Sequence, residues 1–416
     1  MMPVAHGTTA PVSAADLMAP PFVERLQKRA MLIGVVFGVA ALIGAAVSTE
    51  QFFRSYLLAY MVWLGTSLGG LALLMLQYLT KGNWGFVLRR QFEAASRNLP
   101  LMAVLFIPLA IAIWNHRLWP WLSQLSAEDA KMAKFQSYLT VNGMLGRAVL
   151  YFAVWIGLMA ILNRWGLRQD TVDEPDLPRS RRFQTLCGPG FILYAFSMTM
   201  AATDWVLSLD AHWFSTMLGL IYLVGQGLNC MTFCIMLTNR LKDYEPVSGI
   251  MKPLFWHDLG NLLLAMTMLF AYLSFGQFLI IWSGNLPEEI NWYLNRFSGG
   301  WGVVIVALVL FHFAVPFFAL LMKAVKKYPH RLVWVAALMF FMRYVDQFWY
   351  IMPNFPAMAG LPATQKHFTY TWLDLVVPVA MGGIWVSAFC SQLRKRPLYP
   401  VHDLLWPEVT KQHHGH

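Results

Sequence analysis

Apolar runs of about 20 residues, separated by short polar connections, recur along the whole chain. A hydrocarbon core about 30 Å thick takes about 20 mostly apolar residues of helix to cross. On that measure the pattern predicts ten spans, at roughly 30–48, 52–79, 99–116, 141–163, 186–206, 212–239, 256–283, 300–325, 331–353 and 370–392. The longer runs predict helices that tilt or project beyond the bilayer. The first run follows Arg25, Lys28 and Arg29 and is too long for the apolar stretch of a signal peptide, so it is expected to be a retained span. The predicted division is a tail over 1–29, a membrane domain over 30–393 and a second tail over 394–416. Small residues cluster at Gly65-Thr-Ser-Leu-Gly69-Gly70 in the second span, a pattern that lets helices pack closely.

Composition agrees. Of 416 residues 58% are hydrophobic and 12% charged, against about 25% charged in a soluble domain. The formal net charge of +10 is not spread evenly: 23 Lys and Arg lie in the two tails and the connections on their side, and six on the other side. That asymmetry sets topology, places both termini in the cytoplasm and argues against nucleic-acid binding. Cys187, Cys230, Cys234 and Cys390 form no C-x-x-C and no C-x-x-C-H haem motif, and read as small core residues. Trp119, Trp121, Trp282, Trp292, Trp301 and Trp349 fall near the outer boundary and are expected to form an aromatic belt. The acidic stretch Gln169–Asp176 reads as a solvated loop, and Lys411–His416 as a loose end.

Against this apolar background four aspartates stand out, Asp204, Asp258, Asp346 and Asp374. A charge at the centre of a membrane helix costs about 2.5–3.5 kcal/mol on insertion scales, so each calls for a partner or a function. The orientation puts Asp204, Asp346, Asp374 and Arg147 toward the outer face and Arg343 one turn deeper than Asp346. It puts His257 and Asp258 at the cytoplasmic face and His312 near the middle. Arg343 and Asp346, three residues apart, meet on one helix face. They read either as an internal ion pair or as a carboxylate whose proton affinity changes when its neighbours move. Asp258 reads as a first-turn acid favoured by the helix dipole, or as the start of a polar stripe with Asn261 and Tyr272. His212, in the turn after Asp204, reads as a hydrogen-bonded turn residue or as an acceptor for a quinol proton. His312, between Phe311 and Phe313, suits a core histidine, since haem would need a second axial histidine at matching depth.

The segment 257–296 opens on His257-Asp258, carries Gln277 in its outer half and closes on Asn285-Leu-Pro-Glu-Glu289. In this it resembles the polysulfide reductase membrane-subunit (NrfD-like) family. The segments Asp204–Thr216 (DWVLSLDAHWFST) and Arg396–Asp403 (RPLYPVHD) are similar to the smaller of the two such subunits of bacterial alternative complex III, a quinol:electron-acceptor oxidoreductase. The resemblance covers essentially the whole chain. It implies two four-helix bundles, about 52–206 and 212–353, with the first and last spans peripheral, and a subunit that binds no redox cofactor covalently. The implied partners are a larger sibling subunit, an iron–sulfur subunit, haem c subunits, the lipid bilayer of the bacterial inner membrane, and quinol. On the same resemblance Asp204, His257, Asp258, Asp346, Asp374, Arg343, Tyr272 and His312 are candidates for proton transfer. His212, Asp204, Arg147 and Gln277 are candidates for binding quinone or menaquinone.

The expected function is therefore quinol binding, transmembrane proton transfer or both, with electrons leaving through a partner. Two other classes stay open. One is a structural anchor whose buried acids are paired and inert. The other is a proton-coupled secondary transporter, against which stands the lack of Gly/Pro-broken spans at corresponding positions.

Overall fold

The structure, a computed structural model, describes residues 17–119, 121, 137–170, 177–210, 213–355, 368–400, 402–403 and 405–406, with backbone alone at 177–180 and 288. Among these residues every regular element is helical. The long helices are α1 (Pro21–Val47), α2 (Thr49–Thr80), α3 (Arg89–Trp114, in three short turns of helix run end to end), α4 (Val141–Asp170), α5 (Leu177–Trp205), α6 (Leu218–Leu241) and α7 (Pro253–Gly284). The shorter α8 (Pro287–Phe297) precedes α9 (Trp301–Leu321), α10 (Pro329–Ile351) and α11 (Trp372–Leu393). Among the described residues nine of these, all but α8 and α10, are long and apolar enough to cross a membrane. The fold is thus that of an all-α, multi-pass membrane protein. α10 corresponds to the ninth predicted span but is more polar, because Arg343, Asp346 and Gln347 share it.

Several helices begin before their apolar runs. Pro21, Pro253, Pro287 and Pro329 each stand at a first helical position, where a missing N–H is harmless and the fixed φ suits the helix. α2 and α7 end on left-handed residues, Lys81 and Asn285, which satisfy the last carbonyls.

α2 and α6 form the centre. The apolar windows of these two helices are 94% and 72% buried, against 22% for α1, whose Leu32, Val36, Val39 and Ile43 point outward. α1 packs along α11, α2 touches α3, α5, α6 and α11, and α6 touches α5, α7 and α10. The small-residue patch does what its pattern predicts: a Cβ on Gly69 would stand 2.0 Å from the Gln226 carbonyl oxygen on α6. Gly69→Ala must push α2 and α6 apart and is expected to cost about 1–3 kcal/mol, as overpacking does. Gly38→Ala, which meets nothing within 4 Å, is the control. Equal melting temperatures for the two purified variants would refute this account of the contact.

Two expectations fail here. The stretch 80–98, expected to be a polar connection between spans, contains the helical turns Arg89–Ser96, every residue of which is buried. Its charges are satisfied by other charges rather than by water. The aromatic belt also fails in part. Trp119, Trp121, Trp292, Trp301 and Trp349 are buried, and only Trp282 is exposed. The segments that carry them fold over one another, so that Trp292 stacks on Trp213 at 4.0 Å and meets Trp349 edge-on.

Candidate functional site

The three aspartates that the sequence assigned to the outer face, Asp204, Asp346 and Asp374, occupy three separate nets. On α10, Arg343 donates through Nη1 to Asp346 Oδ2 at 2.7 Å, as the spacing predicts, and Gln347 Nε2 reaches the same oxygen at 3.4 Å. The Arg343 guanidinium also lies 4.9 Å from the centre of the Phe270 ring, a favourable cation–π contact. Gly225 makes the approach possible, since a Cβ there would stand 2.3 Å from Arg343 Nη2.

Asp204 is fully buried and takes a bidentate pair from Arg147 of α4, Nε to Oδ2 at 2.8 Å and Nη2 to Oδ1 at 2.9 Å, with the Tyr151 hydroxyl on Oδ2 at 2.8 Å. Arg147 is held in turn by the Tyr138 carbonyl and ring. The sequence placed both residues at one depth but gave no sign that they meet, because helix rotation is set by packing. Asp374 is the N3 acid of α11 in a capping box with Thr371. Its Oδ2 accepts from Thr371 N and Oγ1, and its Oδ1 accepts from Ser55 Oγ at 2.6 Å and Gln51 Nε2 at 3.0 Å. Such reciprocal caps stabilise a helix start.

The remaining candidates divide. Gln277 is buried, accepting from Ser215 at 2.7 Å and donating to the Tyr293 hydroxyl at 3.2 Å. His212, residues 171–176 and Lys411–His416 lie outside the described residues. His312 is buried in a π-helical turn of α9, its ring edge-on to Phe270 at 4.8 Å and its Nε2 without a hydrogen-bond partner among the described residues. Tyr272 is 71% exposed, so the proposed polar stripe on α7 turns outward and does not enter the interior. Nor is Asp258 a first-turn acid. α7 starts at Pro253, with no acid in its first turn, because the proline extends the helix past the apolar run. His257 Nδ1 lies 3.9 Å from Asp258 Oδ1 and 3.2 Å from Asn261 Nδ2, and Lys326 Nζ donates to Asn261 Oδ1 at 2.7 Å.

Two groups of residues escaped the sequence reading. The first fills the middle of the protein. Tyr222, Gln226 and Asn229 recur at i, i+4 and i+7 on α6, the spacing of one helix face, and all three are buried. Gln226 accepts from the Tyr194 hydroxyl at 2.6 Å, and Asn229 Nδ2 donates to Val62 O at 2.9 Å and Thr66 Oγ1 at 2.7 Å. Beside them a cavity with a water-accessible volume of about 10 Å³ is walled by α2, α6 and α10. That periodicity was visible in the sequence, but amides in an apolar span draw less notice than acids.

The second group is a buried ionic network at the other end. Arg90 pairs with Glu93 at 2.8 Å and with Asp170, Arg396 pairs with Glu93 at 2.9 Å, and Arg89 pairs with Asp403 at 2.6 Å. Gln169 adds a bond to Asp403 at 3.0 Å. The start of the supposed acidic loop is therefore bound, not solvated. Burial opposes ionising Asp403, but the Arg89 charge and hydrogen bond, with those of Leu405 N and Gln169, outweigh it and hold the carboxyl below the usual range. Arg90 and Glu93 are three residues apart, but the pairings with Asp170, Arg396 and Asp403 join positions too far apart in the chain to be read from it. All four cysteines are buried, as expected. Compared with known proteins, the chain matches no family model and no curated protein sequence, and the geometry of these nets carries the functional reading.

Proposed function

We propose that this chain is a proton-transferring membrane subunit of a quinol oxidoreductase, of the NrfD-like kind found in alternative complex III. In that reading it holds ten spans in two four-helix bundles of the bacterial cytoplasmic membrane, with both termini inside, and hands electron chemistry to its sibling, iron–sulfur and haem c partners. The packing of α2 with α3 and α5 and of α6 with α7 and α10 is compatible with those bundles. The observation that carries the reading is the buried Arg343–Asp346 pair, where Arg343 and Gln347 reach the same carboxylate oxygen of Asp346, beside a water-sized polar cavity on the α6 stripe. An acid whose counter-charge sits on its own helix changes proton affinity if that geometry shifts.

Quinol binding is the weaker half of the proposal, because Arg147, Asp204 and Gln277 are each engaged by protein groups. The anchor reading draws support from Asp204 and Asp374, whose carboxylate oxygens are all hydrogen-bonded. The test is proton translocation per electron by the whole complex in liposomes. Asp346→Asn is expected to lower the ratio at retained assembly, and Asp374→Asn to leave it unchanged while lowering the melting temperature. An unchanged ratio and turnover for Asp346→Asn would defeat the proposal.

A further inference from the structure

We propose that the cavity between α2, α6 and α10 is the binding site of a single ordered water that solvates the Arg343–Asp346 pair from within. Its volume, about 10 Å³, is on the scale of one water and too small for a larger ligand. Among its lining residues four buried polar atoms have no hydrogen-bond partner among the described residues: Tyr222 Oη, Asn229 Oδ1, Arg343 Nε and Gln347 Oε1. Buried polar groups are almost always satisfied, and a buried water typically makes two to four bonds to groups otherwise unpaired.

The four atoms are complementary to a water in kind as well as number. Arg343 Nε and the Tyr222 hydroxyl donate, matching the two lone pairs of a water. Asn229 Oδ1 and Gln347 Oε1 accept, matching its two hydrogens. The amide orientations are fixed from the other side, Asn229 Nδ2 by Val62 O and Thr66 Oγ1 and Gln347 Nε2 by the Asp346 carboxylate. The water then touches Arg343 and Gln347, the two groups that hold Asp346, and connects them to the α6 amides. It places an exchangeable O–H beside the pair, among the polar residues of the α6 stripe. Its effect on proton transfer rests on the function proposed above, whereas its presence does not.

Gly65 supplies the test. It lines the cavity, and a Cβ there meets only Gln226 Cγ at 3.4 Å and Asn229 Nδ2 at 4.0 Å, ordinary contacts. Gly65→Ala therefore occupies the space without removing a hydrogen-bonding group or forcing the helices apart. A structure of the whole complex, at a resolution that shows other internal waters, is expected to show one density within hydrogen-bond distance of at least three of the four atoms. In Gly65→Ala that density is expected to vanish, with the translocation ratio falling and the pH profile of turnover shifting. No density in the wild type overturns the inference, whatever Asp346→Asn does. Density that disappears in Gly65→Ala with ratio and pH profile unchanged upholds the water site and overturns its part in proton transfer.

Discussion

Replacing Glu93 by Gln is expected to destabilise the protein by about 3–5 kcal/mol, the range for breaking one partner of a buried ion pair. Glu93 is 1% exposed and is the shared partner of Arg90 and Arg396. The network holds Arg89, Arg90, Arg97 and Arg396 around Glu93, Asp170 and Asp403. Losing one of its three carboxylates leaves two guanidinium groups facing a neutral amide away from water. The loss also removes one of two ionic links between α3 and the chain after α11, leaving Arg89–Asp403, since Arg396 reaches back 303 residues to Glu93. The check is the melting temperature in detergent against Glu24→Gln, which disrupts the exposed pairs with Lys28 and Arg394 and is expected to leave melting unchanged, as surface pairs generally do. Matching curves for the two variants would show that the buried network is not what holds this face together. Acid should act on it late. The stabilisation from Asp403 is fully present above the ordinary aspartate pKa of about 3.9. It is lost only as pH falls through the lower value in the fold. The protection of the Leu398 N–H, which bonds Leu17 O at 2.7 Å, should therefore be flat between pH 5 and 8 once the intrinsic pH dependence of amide exchange is divided out.

What could be read from the sequence follows from which interactions are local. Apolar length announced the spans, and i,i+3 spacing announced Arg343–Asp346, because both are settled within one helix. The small-residue patch announced a close crossing without naming its partner, Gln226. Helix starts were misjudged at α1 and α7 because hydropathy does not register a proline that extends a helix into polar territory. That error placed Asp258 in a first turn it does not occupy. Arg147–Asp204, Asp374–Ser55 and Glu93–Arg396 depend on the rotation and depth of separate helices, which no local pattern encodes. The same limit hid Arg296, which charge counting treated as one of six residues in the outer connections.

Arg296 is expected to be the most sensitive residue at the C-terminal end of α10, with Arg296→Lys nearly as damaging as Arg296→Ala. It is 1% exposed, and burial pushes its pKa down, so its charge must be offset by good contacts. The guanidinium lies 3.5 Å from the centre of the Trp292 ring and donates to Trp349 O, Trp292 O, Tyr350 O and Asn354 Oδ1 at 2.9–3.2 Å. Trp349 and Tyr350 close α10, where carbonyls lack partners and a cation is favoured. Removing the side chain leaves Trp349 O and Asn354 Oδ1 without this donor, at about 1–3 kcal/mol for each buried group, and ends the stack on Trp292. Lysine cannot replace it, because a compact ammonium does not spread its donors over a planar fork or stack on indole as guanidinium does. The consequence reaches the proposed proton site, since α10 carries Asp346 one turn before the capped carbonyls. Arg296→Lys is therefore expected to lower both the melting temperature and the translocation ratio, whereas Arg331→Lys, exposed at the other end of α10, should change neither. Wild-type melting of Arg296→Lys would mean that charge alone, and not the fork, secures the end of α10.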